Sequence, residues 1–435
     1  MSALRIGWAA PWNTSSAIAH SASRVAFELA ERGHSVTVLR TEVGPTLDLP
    51  ARAAPGLIRS LSEYQTHELV RDFDVLVGHF GDHFAFHGQL LPRLSELDLV
   101  GIFHDAAVPH LFSGWAVSDE KTAGDFHGFM RGLVRECYGD ALAEGTLLWN
   151  DLADVASRYP LVEWIARRTV GAIAHANHYA WRLQRACPGP VAVIPLAYPV
   201  ENVPMPPPAW SRTVIAIVGH ANPNKRIDQV ILAVSSSYIL RERCRIRVIG
   251  EAVISEREKL TALALRLGVV PPEFTGWVSD EELLSKLRDV DVIACLRKPV
   301  IEGASASVVL ALMSKRPTLV NHHGCYAEIP SDAALHCSPD QEALDIMLHL
   351  EHVVREPAFG MSTGLKGQEF AAVRHSAKAY VDALEPFLEK VVVLRPVAQA
   401  RREIARTCAE FGLSSDDPAV DRIKTILDSM IQDTP

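Results

Sequence analysis

Apolar runs of four to seven residues alternate with helical segments along almost the whole chain, which limits the fold to parallel sheets covered by helices. In the first half the expected strands are 4–9, 35–39, 74–77, 100–103, 171–174 and 191–195. A helix at 17–32 stops at Gly33, a residue suited to a helix C-terminus. In the second half the pattern restarts with strand 213–218, helix 227–240, strand 246–250, helix 255–267 and strand 273–275. It continues through helix 279–287, strand 290–296, a helix opened by small residues at 304–307, strand 318–321 and helix 340–354. Between the halves lies YPVENVPMPPPAW at 198–210, whose five prolines remove backbone donors and disfavour helix. The expected fold class is therefore α/β, with a first domain at 1–200, a linker at 201–210 and a second domain at 211–367. The first domain carries a helical insert around 114–168, and 368–435 reads as C-terminal helices. A chain of 435 residues is long enough for two such cores.

Composition removes several function classes. An apolar fraction of 48% with 22% charged residues is globular rather than disordered. The net charge of −9, with no basic block against it, speaks against nucleic acid as a partner. Seven scattered cysteines, odd in number and without C-x-x-C, read as reduced thiols of a cytoplasmic protein. The opening MSALRIGWAAPW has too short an apolar stretch for a signal peptide. No run approaches the roughly 18 uncharged apolar residues of a membrane span, and no basic amphipathic helix stands out. No GxGxxG is present, which argues against a nicotinamide dehydrogenase.

The most informative stretch is LRKPVIEGASASVVLALMSKRPTLVNHHGCYAEIP at 296–330. A buried strand leads into a loop with one carboxylate, Glu302, and then into a helix opened by Gly303, Ala304 and Ser305. Without bulk there, a ligand can reach the N–H groups of the helix start, where the dipole favours negative charge. A carboxylate beside an anion site suits a ligand with a diphosphate and a hydroxyl-rich part, such as a nucleotide sugar.

At these residues the chain resembles the retaining glycosyltransferases of the GT-B architecture, specifically glycosyltransferase family 4. The family's E-G-x-S loop, small-x-P and G-x-x-x-E correspond here to Glu302-Gly303-Ala304-Ser305, to Arg316-Pro317-Thr318 and to Gly324 through Glu328. Where many members carry a second glutamate eight positions after the first, this chain has Leu310. The resemblance implies two Rossmann-like domains facing each other across a cleft, with the C-terminal helices crossing back to the first domain. It implies transfer of a hexosyl group from a nucleotide-diphosphate sugar to a hydroxyl of a glycan, lipid-linked or small-molecule acceptor. No cofactor and no metal are expected. Lipid-linked acceptors of relatives leave room for a peripheral membrane contact.

Residue roles follow from the same resemblance. The strand–Gly219–loop–Lys225 segment matches the part that binds the donor diphosphate, and Arg226 is a candidate for a second positive charge where His220 replaces a common arginine. A solvated Lys-Arg pair at a helix start is the plainer alternative. Glu302 is expected on the sugar hydroxyls of the donor. Ser305 either donates to a phosphate or caps the helix, and Glu328 either accepts from a ribose or sugar hydroxyl or anchors a turn. In the first domain His104 and Asp105 end a buried strand, where relatives carry a histidine near the transferred sugar. Asp82, His87 and His110 are weaker candidates on the acceptor side, as are Ser16 and His20 in the loop where relatives have a diglycine. His83 and His87 stand one helical turn apart, as zinc ligands do, but no third ligand has a supporting spacing. The implied mechanism is front-face displacement, in which an oxygen of the departing phosphate takes the acceptor's proton. Two other readings use the same residues: a non-catalytic nucleotide-sugar-binding homologue that regulates another transferase, and a nucleotide-sugar epimerase.

Overall fold

The computed structural model describes residues 3–140, 152–200, 212–411 and 422–423. Two compact units emerge. The first comprises the described parts of Met1–Ala197, Ile301–Ala304 and Ala377–Pro435, and the second those of Tyr198–Val300 and Ser305–Ser376. The proposed linker at 201–210, residues 141–151 of the insert and most of the tail beyond 411 lie outside the described residues.

The first unit holds a parallel sheet of seven strands: β1 (Arg5–Ala10), β2 (Ser35–Arg40), β3 (Ile58–Ser60), β4 (Val75–Phe80), β5 (Leu99–Phe103), β6 (Gly171–Ala174) and β7 (Val191–Val193). Their spatial order is β3-β2-β1-β4-β5-β6-β7. β4 and β5 are buried along their whole length, which is why they read as unbroken apolar runs rather than alternating ones. The chain reverses its direction of winding between β1 and β4, and ligands of such sheets bind beyond the C-terminal strand ends at that point. One face of the sheet is closed by helix Ala377–Glu410, whose Tyr380, Val381, Leu384, Phe387 and Val391 share a core with Ile6, Trp8 and Val25. Arg32 fastens helix Ala17–Glu31 to it through Glu385 at 2.9 Å and Asp382 at 2.8 Å.

The second unit repeats the plan with six parallel strands: β8 (Thr213–Val218), β9 (Cys244–Ile249), β10 (Glu273–Phe274), β11 (Val292–Cys295), β12 (Thr318–Asn321) and β13 (Leu335–Cys337). Their order is β10-β9-β8-β11-β12-β13, so the switch point falls between β8 and β11. Together the units form the two-sheet α/β fold read from the sequence.

Several local expectations need correction. Helix 227–240 is two helices, Ile227–Ser235 and Tyr238–Arg243, because Ser237 is extended and its hydroxyl caps the second at Leu240 N–H. Edge strands β3 and β13 are three residues each, too short for a period to show. The helix after Glu302 begins at Ala306 rather than 304. The described insert residues form helices Pro109–Ser118, Glu120–Ala123, Phe126–Tyr138, Leu152–Arg158 and Val162–Ala166. Helix Pro357–Arg374 stays with the second unit, and the helix that joins the first begins at Ala377, not near 368.

Candidate functional site

In the second unit, the loop after β8 carries the expected anion-binding residues. Gly219 has φ of +92°, and a Cβ on it would lie 2.7 Å from Lys225 Nζ. A side chain there would meet both backbone strain and the lysine. Lys225 is 7% exposed, and its ammonium donates to the carbonyl of Val218 at the strand end. The solvated-pair alternative therefore fails for both residues, because Arg226 is also engaged. Its Nε donates to Glu342 Oε2 at 2.8 Å while its backbone takes a left-handed conformation, φ 57°, at the start of helix Ile227–Ser235. Glu342 is buried, and its other oxygen accepts from Asn321 Nδ2 at 2.6 Å. Asn321 Oδ1 in turn accepts from Arg297 N at 2.6 Å. The β8 and β11 loops are joined directly by Lys298 N to Asn224 O, 3.0 Å. Ser305 precedes helix Ala306–Met313 without capping it, since its hydroxyl pairs with Ser307 Oγ at 3.0 Å. Ser307 Oγ also accepts from Arg297 at 3.4 Å. Thus Gly219, Lys225 and Arg226 follow β8, and Arg297 and Ser305 follow the adjacent strand β11. Glu328 ends a short helical turn (Gly324–Glu328) after β12 and stands 3.7 Å from Arg374. Leu310 packs against an apolar cluster with Tyr326 and Val320.

Glu302 and Gly303 belong to the first unit. Glu302 forms an antiparallel bridge with Asp105, flanked by Ala106 N to Ile301 O at 2.7 Å and Gly303 N to His104 O at 2.9 Å. A Cβ on Gly303 would stand 2.5 Å from Tyr179 Oη and 2.9 Å from His104 O, so only glycine permits this approach. Ala304 is the last residue of the segment assigned to this unit.

Both ring nitrogens of His104 are engaged by other histidines: Nε2 with His79 Nδ1 at 2.8 Å and Nδ1 with His175 Nε2 at 3.2 Å. His175 Nδ1 faces the carbonyl of Ile194, so it must donate. With a neutral His175 the bonds run one way: His104 donates from Nδ1 to His175, and His79 donates from Nδ1 to His104. Burial, reinforced by the neighbouring imidazoles, holds His104 and His79 well below the usual histidine value, so these two rings are neutral near pH 7. In this arrangement His104 reaches the Glu302 segment through its main-chain carbonyl rather than its ring. His87 donates from Nδ1 to His79 O at 2.9 Å, and burial pushes its value down to about 3. Ser16 caps helix Ala17–Glu31 at Ala19 N–H, and His20 is half-buried one turn further on.

Asp105 is raised to about 8, first by burial and then by Asp82 and Glu302, although Asp82 N–H donates to it at 2.7 Å. An acid whose folded-state value exceeds its unfolded one stabilises the fold at low pH and loses that contribution as pH rises through the folded value. The window here runs from 3.8 to about 8. Asp105→Asn, which keeps the neutral shape, should therefore melt increasingly above wild type as pH climbs through this window. A gap that stays constant across it would show that Asp105 is not held protonated.

Sequence reasoning passed over His79, His175, Glu342 and Glu42. His175 follows a buried strand just as His104 does, a signal that was present. Glu42 is fully buried and accepts from Trp12 N and Asn13 N, shaping the loop after β1; nothing in its spacing announces this. Among the described residues no group of three or more His, Cys, Asp or Glu could hold a metal ion. Nor is any described helix long and apolar enough to cross a membrane.

Residues 208–357 match the family model for glycosyl transferases group 1. No curated protein sequence matches the chain. Among solved structures the chain is similar to sucrose-phosphate synthase from Thermosynechococcus elongatus, with TM-score 0.59 and 12% identity over 89% of this chain and 99% of that one. HepE of Anabaena in complex with UDP gives TM-score 0.59 and 13% identity over 88% and 99%. WaaG, a glycosyltransferase involved in lipopolysaccharide biosynthesis, gives TM-score 0.57 and 16% identity over 87% and 98%. At these identities the likeness concerns the fold, and the family match concerns the unit built on β8–β13. The chain thus has the GT-B fold, and residues 208–357 are similar to glycosyl transferases group 1.

Proposed function

We propose that the protein is a retaining glycosyltransferase of the family-4 type, moving a hexosyl group from a nucleoside-diphosphate sugar to an acceptor hydroxyl on a carbohydrate, lipid-linked glycan or small glycoside. The observation that carries this is Lys225, held under Gly219 at the end of β8, within the segment that matches the family. In this reading Lys225 and the start of helix Ala306–Met313 stabilise the departing diphosphate, by charge and by unpaired helix N–H groups. That supply of positive charge makes a bound metal unnecessary. Glu302, fixed through the Asp105 bridge and Gly303, receives the sugar hydroxyls. The HepE structures, which hold UDP and in another case UDP-glucose, support a nucleotide sugar as donor. The reaction is placed in the cytoplasm, where nucleotide sugars are made.

Calorimetric titration with GDP, UDP, ADP, dTDP and their sugar conjugates tests this, run beside Glu302→Ala. One nucleotide should bind tightly, its sugar conjugate more tightly, and the variant should lose only the sugar's increment. Binding by none of them would end the transferase reading. Leu310, partly buried against an apolar cluster where many relatives have a carboxylate, favours one rival: a nucleotide-sugar-binding regulator, which would bind the donor yet turn over none.

A further inference from the structure

We propose that the acceptor is an uncharged polyhydroxy compound, a neutral sugar, glycoside or polyol, with no phosphate or carboxylate beside the hydroxyl that reacts. This rests on the transferase reading above, with the acceptor seated beyond the C-terminal ends of β1 and β4, where ligands of such sheets bind. It narrows the acceptors named there to those that present no phosphate at that place.

A phosphate leaving water needs cations or converging N–H groups in place of its hydration. Cations are missing from this end of the first sheet. The described loops 11–16, 41–43, 81–83, 104–108, 175–176 and 194–197, which follow β1, β2, β4, β5, β6 and β7, contain no lysine or arginine. Helix Pro109–Ser118 has none either. Arg40 closes β2 but pairs with Glu42 at 3.1 Å. The first arginine of helix Ala17–Glu31, Arg24, stands about two turns inside it.

The main-chain donors of these loops are taken by the protein's own carboxyls. In the β1 loop, Glu42 Oε1 accepts from Trp12 N at 2.8 Å and Asn13 N at 2.9 Å. In the β4 loop, Asp105 Oδ2 accepts from Asp82 N at 2.7 Å. Beyond β5, Asp82 Oδ1 accepts from His110 N at 2.7 Å and Leu111 N at 3.0 Å, in the first turn of helix Pro109–Ser118. Its Oδ2 meets His110 Nδ1 at 2.5 Å. A carboxyl oxygen accepts in the protonated acid as well as in the anion. The N–H groups therefore stay occupied although burial raises both Asp82 and Asp105.

The second unit is built the other way. Its loops after β8 and β11 carry Lys225, Arg226, Arg297 and Lys298. The helices that follow, Ile227–Ser235 and Ala306–Met313, start without a side-chain cap from their own N-cap residues. Chemistry suited to phosphate is thus provided for the donor. What the first unit leaves open are hydroxyls and an imidazole: Thr14 and Ser15 are exposed, and the His110 side chain is 49% exposed. Such groups match the hydroxyls of a sugar, which both donate and accept, and give a phosphate no counter-charge.

The test uses the full chain and matched acceptor pairs: glucose against glucose 6-phosphate, methyl glucoside against methyl glucuronide, and myo-inositol against its monophosphate. UDP-glucose, GDP-mannose, ADP-glucose and dTDP-glucose serve as donors, and both nucleoside diphosphate and glycosylated product are read. In the pair used best, kcat/KM for the neutral member should exceed that for the charged one about 10²-fold, since the charged group loses its bonds to water and finds no partners. A charged member used as well as its neutral parent overturns the proposal. So does inorganic phosphate that competes with the neutral acceptor while the donor is saturating. A chain that binds a nucleoside diphosphate but transfers to neither member of any pair overturns the transferase reading in favour of the regulator, and this proposal with it.

Discussion

Lys225→Met is expected to weaken nucleoside-diphosphate binding about 10²-fold, because a charge-assisted hydrogen bond to phosphate contributes roughly 1.5–3 kcal/mol. Methionine keeps most of the side-chain volume, so the space under Gly219 stays filled and the melting temperature should move little. A structural cost is the donor lost to Val218 O at the end of β8. Calorimetry with the diphosphate and with the bare nucleoside distinguishes the role. The diphosphate should lose affinity and the nucleoside should not. Equal losses for both would place Lys225 away from the phosphates.

The second large effect is expected from one methyl group. Gly303→Ala would put a Cβ 2.5 Å from Tyr179 Oη and 2.9 Å from the carbonyl of His104. Neither neighbour can give way easily. Tyr179 is 2% exposed and donates to Phe103 O at 2.6 Å, and the carbonyl is backbone at a strand end. The segment Ile301–Ala304 must move instead, carrying Glu302 away from its bridge with Asp105. A misplacement of about 1 Å costs on the order of 10²-fold in rate, so kcat should fall by that much while nucleotide affinity holds. Adding Tyr179→Ala should return part of the rate by making room. Wild-type turnover in Gly303→Ala would mean that this approach has no bearing on catalysis.

The fold was legible to the extent that local patterns encode it. β1, β4, β5, β8 and β11 are buried on both faces and therefore appear as apolar runs in any reading of the chain. The break at Ser237 and the edge strands β3 and β13 were not legible. A serine cap competes locally with a helical period, and three residues carry no period at all. In the site, Glu302, Gly303 and Lys225 stood out through motif and loop position. What each one touches did not, since Arg226 finds Glu342 across 116 positions of sequence.

The amino-acid sequence by itself determined two parallel sheets, their helical cover and the loops that carry chemistry, because strand and helix periods are properties of neighbouring residues. Only the tertiary structure decided that Glu302 joins the first unit, that His104 is bound on both ring nitrogens, and that Asp82 orients His110. Each of these depends on groups, main-chain or side-chain, that different strands deliver to the same place. Their hydrogen-bond partners, tautomers and burial are set by that meeting, and no spacing along the chain records it.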